Sequence, residues 1–282
     1  ALLPALCNAP EIDAVTGLDL AEPHFRHARF RALRANVLDF RSDAELTGHD
    51  ALVHLAFALP HPRLAPTAMF ETNVTGRLRM FHAARAAGLA RLVHVSTAAV
   101  YGNGVHLAED APLNPRAGFA YAEHHALVER MLEIEYPECV RLRPHLILGP
   151  HAHPAVTAHL RRPFYPHLPR PHPLMQCLHE DDVAAAIMLA LRTGVRGAFN
   201  LATEEACTHR ELVKSRHRLA IPVPLAATRF GAEVARRLAG WRKEPALWPG
   251  LTQSLTLNCR RALVELGWRR RYALAATLAA RH

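Results

Sequence analysis

Lysine is almost missing from this chain. Lys214 and Lys243 are the only two, so the excess of positive charge, 34 Lys and Arg against 25 Asp and Glu for a formal +9, is carried by arginine. The arginines are spread along the sequence without a basic block, which favours anionic small molecules in general and gives no specific nucleic-acid footprint. Cysteine is also sparse and scattered. Cys7, Cys139, Cys177, Cys207 and Cys259 form no CxxC pair, no zinc spacing and no dense disulfide framework, so a reducing, cytoplasmic compartment is expected. No apolar run reaches membrane-spanning length, and Ala1 to Leu6 lacks the basic flank and the length of a secretory leader, so membrane insertion is not expected. Histidine is plentiful, at 20, yet His151, His153, His159, His167 and His172 lie among prolines at no regular spacing, and no metal site is expected from them.

What remains is a chain of 282 residues, half of them hydrophobic and 21% charged, long enough to bury a full core. Short β-rich runs alternate with helical patterns through its first two thirds, the mark of parallel strands joined by crossover helices. Strands are expected at Ile12 to Leu18, Ala51 to Ala56, Arg91 to Ser96, Cys139 to Leu142 and Ala198 to Leu201. Helices are expected at Thr67 to Ala87, where Met69, Val74, Leu78 and Phe81 recur at helical intervals before Gly88, at Tyr121 to Tyr136, and at Asp181 to Leu191. The fold class is therefore α/β, a Rossmann-like doubly wound parallel sheet with its ligand crevice at the carboxyl ends of the strands. Residues 1–202 read as the nucleotide-binding domain and 203–282 as a small C-terminal substrate lobe, with loops from 150–180 contributing to it.

Landmarks in a fixed order sharpen this reading. They are Val15-Thr16-Gly17-Leu18-Asp19, Val53-His54-Leu55-Ala56, Asn73-Val74-Thr75-Gly76, Ser96-Thr97-Ala98-Ala99-Val100-Tyr101-Gly102, Tyr121 with His125, Arg143-Pro144, His179-Glu180-Asp181-Asp182 and Gly197-Ala198-Phe199-Asn200-Leu201. Together they resemble the extended short-chain dehydrogenase/reductase superfamily, in particular the NAD-dependent epimerase/dehydratase family, over nearly the whole chain. The resemblance implies that Tyr121 transfers a proton while hydride passes between nicotinamide and a substrate carbon, and that Thr97, four residues before Tyr101, holds the reacting oxygen. It implies a cofactor, NAD, held by Asp19 at the ribose, Asn36 and Val37 at the adenine, Leu55 and Ala56 along the dinucleotide, and Pro144 beside the nicotinamide. An aspartate at the end of the second strand would accept from ribose hydroxyls and repel a 2′-phosphate.

Two departures stand out. The family carries lysine one helical turn after the tyrosine, where its charge favours the phenolate and its ammonium reaches the nicotinamide ribose; this chain has His125. A phenol near pH 10 is a poor base at neutrality without help, and an imidazole of ordinary pKa near 6.5 is mostly neutral at pH 7. Slowed or altered chemistry is expected, and lysine restored at 125 should raise the rate if charge is limiting. The second departure is at the start of the chain: counting back about 20 residues from Asp19 finds no strand and no Gly-rich turn to receive pyrophosphate. Residues 1–6 instead resemble the helix that follows such a turn.

Substrate choice is less legible. Arg161, Arg162, Arg170 and Arg196 suit an anionic, nucleotide-sugar-like substrate. The run Leu219 to Leu238 instead resembles hydroxysteroid-dehydrogenase-like reductases of apolar alcohols or ketones. His125 leaves open a non-catalytic dinucleotide-binding or protein-interaction member. Relatives often pair through two long helices, which here would be 67–87 and 121–136.

Overall fold

Val and Leu in continuously buried runs make Arg91–Val95 (β4) and Val140–Pro144 (β6) the centre of a parallel sheet. In the computed structural model, which describes residues 1–39, 45–59, 64–152, 164–167, 172–215, 219–222 and 253–279, these strands are flanked by Ala51–His54 (β3) and Gly197–Leu201 (β11). The order is β11-β6-β4-β3, all parallel, with Val53 opposite Val93, Val93 opposite Val140 and Leu201 opposite Pro144. All four strands therefore end on the same side, where the sequence placed the crevice. Val15–Asp19 (β1) and Phe30–Arg34 (β2) pair parallel to each other as a separate ribbon. That ribbon is tied to the same helix as β3, because Leu18 and Leu52 both pack against Val37 and Met80, and His49 Nε2 meets Thr16 Oγ1 at 2.9 Å. Among the described residues no strand precedes β1; the chain opens instead on a helix, Leu2–Cys7 (α1).

The expected helix at 67–87 is a continuous run in three parts: Pro66–Phe70 (α2), a π-wound stretch Glu71–Gly76, and Arg77–Ala86 (α3). Such a π insertion rotates the phase of the residues after it and is common near functional sites. Gly76 is required where it stands, since a Cβ there would come within 2.9 Å of Val37 Cγ2. The helix at 121–136 is Ala120–Glu135 (α4), and that at 181–191 is Glu180–Arg192 (α5). One apolar core lies between β4, α3 and α4, built from Val74, Phe81, Leu92, Val128, Leu132 and Tyr136. Another fills the opposite face, where Leu142, Ile187 and Phe199 meet Ala262 and Trp268.

Trp268 donates to the Asp182 carbonyl at 2.9 Å, and the fully buried Asp182 carboxylate accepts from Arg271 N at 2.7 Å and Tyr272 N at 3.3 Å. Leu255–Leu257 (β14) pairs with Gly104–Leu107 (β5). The described part of the C-terminal segment, 253–279, thus packs onto the sheet. Residues 223–250, which hold most of the expected substrate lobe and of the run Leu219 to Leu238, lie outside the described residues, as do Arg161, Arg162 and Arg170.

Candidate active site

Ser96 and Thr97 follow directly on β4, and the chain then turns through a short 3₁₀ segment, Ala98–Tyr101. Thr97 caps that segment, its hydroxyl accepting from Ala99 N at 3.3 Å. Gly102 closes it at φ +78°, ψ −76°, with Asn103 N donating to Tyr101 O at 3.0 Å. This is a γ-turn of the strained kind, and a Cβ would lie 2.2 Å from Asn114 O, so only glycine fits. The turn leaves Thr97 facing the first turn of α4. There the Thr97 hydroxyl lies near enough to the Tyr121 phenol to favour its anion. The two residues expected to orient and protonate a substrate oxygen are therefore together at the carboxyl end of the sheet.

His125 is brought there too, one turn along α4. Its ring meets Tyr121 edge-on at 4.9 Å between centroids and stacks on Phe57 at 4.4 Å. Burial pushes the His125 imidazole well below its usual range, and Arg77 adds to the shift, so the ring is neutral at pH 7. Burial raises the Tyr121 phenol, while the Thr97 hydroxyl and the Arg77 charge pull the other way.

Arg77 is a site residue that the motifs do not announce. It sits at the start of α3 and is 1% exposed. It donates from Nη1 to His125 Nδ1 at 3.2 Å and to His94 Nε2 at 3.4 Å, and from Nη2 to the Ala56 carbonyl at 3.1 Å. Burial lowers it to about 9, with Tyr121 and Glu129 opposing, which still leaves a cation at neutral pH. The signal for it is spacing: positions 74, 77, 81 and 84 face the core, and only 77 carries a charge.

His54 and His94 complete the cluster. Both are buried, and burial and Arg77 hold both well below the ordinary imidazole range. His145, beside Leu255 O at 2.9 Å, is held at about 4 by burial. Among the described residues no group of three His, Cys, Asp or Glu is placed to hold a metal.

These neutral imidazoles make the fold acid-sensitive. In the unfolded chain each takes a proton near pH 6.5, whereas the folded protein refuses it until a lower pH, so below 6.5 the unfolded state binds more protons. The stability is complete above that pH and is lost as pH falls through it, by about 1.4 kcal/mol per pH unit for each such histidine. Urea denaturation between pH 7.5 and 5 should show this fall beginning near 6.5. A flat profile over that range would contradict neutral burial.

On the dinucleotide side, Asp19 is exposed at the end of β1 and its Oδ1 accepts from Ala21 N at 3.0 Å, which orients the carboxylate toward the strand end. Asn36 Oδ1 accepts from Leu38 N at 3.0 Å. Val37 turns its side chain into the core against Met80, so Asn36 is the polar group of that pair. Leu55 is 51% exposed and Ala56 is exposed beside it, an open apolar ledge after β3. Asn73 braces this ledge, accepting from Ala58 N at 2.7 Å and donating to Ala58 O at 2.9 Å. Pro144 is buried at the end of β6. Arg196 is misplaced for substrate: it immediately precedes β11, at the amino end of the sheet and away from this edge. The charged residues that are brought together behind the site are instead Glu129, Arg141 and Arg143. Arg143 grips both Glu129 oxygens at 2.6–3.1 Å, and Ser96 donates to the same carboxylate.

For NAD the residues fit at both ends: an acidic group and open ledges on the adenosine side, and a hydroxyl pair on the nicotinamide side. Among the described residues no Gly-rich turn follows a strand to receive the pyrophosphate.

The sequence profile of the NAD-dependent epimerase/dehydratase family matches residues 1–202. L-arabinose 1-dehydrogenase (NAD(P)(+)) of Haloferax volcanii is 37% identical over 97 residues, spanning 32% of this chain and 38% of that protein. dTDP-glucose 4,6-dehydratase of Streptomyces griseus is 35% identical over 98 residues, spanning 33% of this chain and 30% of that protein. The chain thus matches only 38% and 30% of the length of these curated relatives. The crystal structure of DesIV, a dTDP-glucose 4,6-dehydratase from Streptomyces venezuelae with NAD bound, superposes with a TM-score of 0.74 at 26% identity, covering 99% of this chain and 88% of that one.

Proposed function

The chain belongs to the NAD-dependent epimerase/dehydratase family, and on that premise we propose that it is an NAD-linked oxidoreductase or epimerase/dehydratase acting on a sugar carbon of a nucleotide sugar. The observation that carries the reading is that Thr97, just after β4, and Tyr121, in the first turn of α4, bring a hydroxyl and a phenol together at the carboxyl end of the sheet. When bound, NAD supplies a reversible hydride acceptor. Thr97 holds the substrate hydroxyl, and Tyr121 takes its proton as the carbon is oxidised and returns it on reduction. Asp19 holds the adenosine ribose and disfavours a 2′-phosphate, Leu55 and Ala56 line the dinucleotide, and Pro144 backs the nicotinamide.

The nucleotide-sugar class is favoured over a free sugar or a steroid-like alcohol because two of the similar proteins act on dTDP-glucose; the third acts on L-arabinose. The protein works in the cytoplasm with its thiols free. Two protomers pair through helices 67–87 and 121–136, which expose Phe70 and Ile134.

The test is to incubate the protein with NAD and either dTDP-glucose or L-arabinose and follow the products by NMR, a keto sugar from the first and a lactone from oxidation at C1 of the second. Conversion of the nucleotide sugar is expected. Conversion of the free pentose alone would overturn the substrate class.

A further inference from the structure

A buried guanidinium with no carboxylate partner is costly, and proteins keep one only where something offsets it. Arg77 is such a group. Among the described residues no carboxylate forms an ion pair with it; its hydrogen-bond partners are two neutral imidazoles and the Ala56 carbonyl, and Phe57 lies 5.3 Å below it. The groups facing it are His54 and His94 from the sheet and Tyr121, His125 and Glu129 from α4. The histidines are uncharged and Glu129 is already engaged by Arg143. What remains to complement the cation is the Tyr121 phenol, whose anion Arg77 favours.

We propose that Arg77, on the helix facing α4, supplies the positive charge that the Tyr121 phenolate needs, with neutral His125 fixed between them. This rests on the function proposed above, since it is the proton-transferring Tyr121 that is served. The two duties expected of a lysine at position 125 are divided. Arg77 provides the charge, one imidazole ring removed from the phenol. His125 provides the hydrogen bond: because an arginine can only donate, His125 Nδ1 must accept, and the ring proton is fixed on Nε2. The ring is held in that orientation by Phe57 stacked on it and Tyr121 at its edge. Arg77 is thus a positioning residue acting through His125. A lysine placed at 125 beside an intact Arg77 adds a second cation to an already served phenol, so His125→Lys alone gains little.

The phenol is read directly by incorporating 3,5-difluorotyrosine at position 121, whose greater acidity brings its ionisation into a pH range where the protein stays folded, and following its ¹⁹F resonance. In Arg77→Gln the midpoint should rise by about one pH unit, a tenfold weaker acid. Adding His125→Lys to Arg77→Gln should bring it back. An unchanged midpoint in Arg77→Gln would overturn the proposal, and so would a raised midpoint that His125→Lys does not restore, because a charge placed elsewhere restores lost charge and not lost packing. Should Arg77→Gln not fold, the unsubstituted arginine carries the test: its guanidinium ¹⁵N signals should move with the same midpoint as the fluorine signal and stay still in Tyr121→Phe. Independent midpoints would overturn the proposal. NAD titrated into the same proteins separates the two readings, since a coupled Arg77–Tyr121 pair in a folded protein that binds no NAD upholds this inference and removes the proposed function.

Discussion

Replacing Tyr121 by phenylalanine should lower turnover by about a hundred- to ten-thousand-fold while leaving the protein folded. The ring packs on its edge and faces against Phe57, Phe119 and His125, and phenylalanine keeps all three contacts. Only the hydroxyl is lost. Thr97 retains its bond from Ala99 N, so the strand end does not collapse. Product formation and thermal unfolding measured on the same preparation separate the effects. Unchanged turnover in a folded variant would remove Tyr121 from the chemistry and with it the division of labour among Thr97, His125 and Arg77.

The largest stability effect should follow from Glu129→Ala, a loss of about 3–5 kcal/mol. Two arginines enter the core on alternate residues of β6, Arg141 and Arg143, and Glu129 is the buried carboxylate between them. Arg143 also donates to the Tyr101 hydroxyl, which in turn donates to Asn200 Oδ1 at 2.8 Å, so the network joins α4, β6, β11 and the turn that presents Thr97. Removing the carboxylate leaves Arg143 without its counter-charge and the Ser96 hydroxyl without its acceptor. Urea denaturation at pH 7.5 reads the loss. A change below about 1 kcal/mol would mean that the network is solvated rather than dry.

How legible all this was in the sequence depends on the kind of residue. The helices at 67–87 and 121–136 and the strands at 51–56, 91–96 and 198–201 were readable because their apolar periodicity coincides with the faces they bury. Phe30–Arg34 was missed, since its two arginines and exposed centre give an edge strand with no apolar run. The two- and three-residue strands, such as Cys177–His179, are too short to carry a period. Thr97, Tyr121 and His125 came from motif order, and they do meet. Arg77 was invisible as a functional group because an arginine on a helix ordinarily reads as solvated; only its place on the Val74–Phe81–Ala84 face gives it away. Arg196 failed for the converse reason: charge type alone says nothing about which end of a strand a residue occupies. The C-terminal segment was read by loss of alternation, which cannot tell a separate lobe from a strap such as 255–272 that returns to the sheet through Asp182.

The most direct test of the whole reading is calorimetric titration of NAD and NADH into the folded protein and into Asp19→Ala. Saturable binding of both nucleotides, weakened about tenfold or more when the carboxylate proposed to hold the ribose is removed, is the expected result. No heat of binding from either nucleotide with a demonstrably folded protein would contradict it.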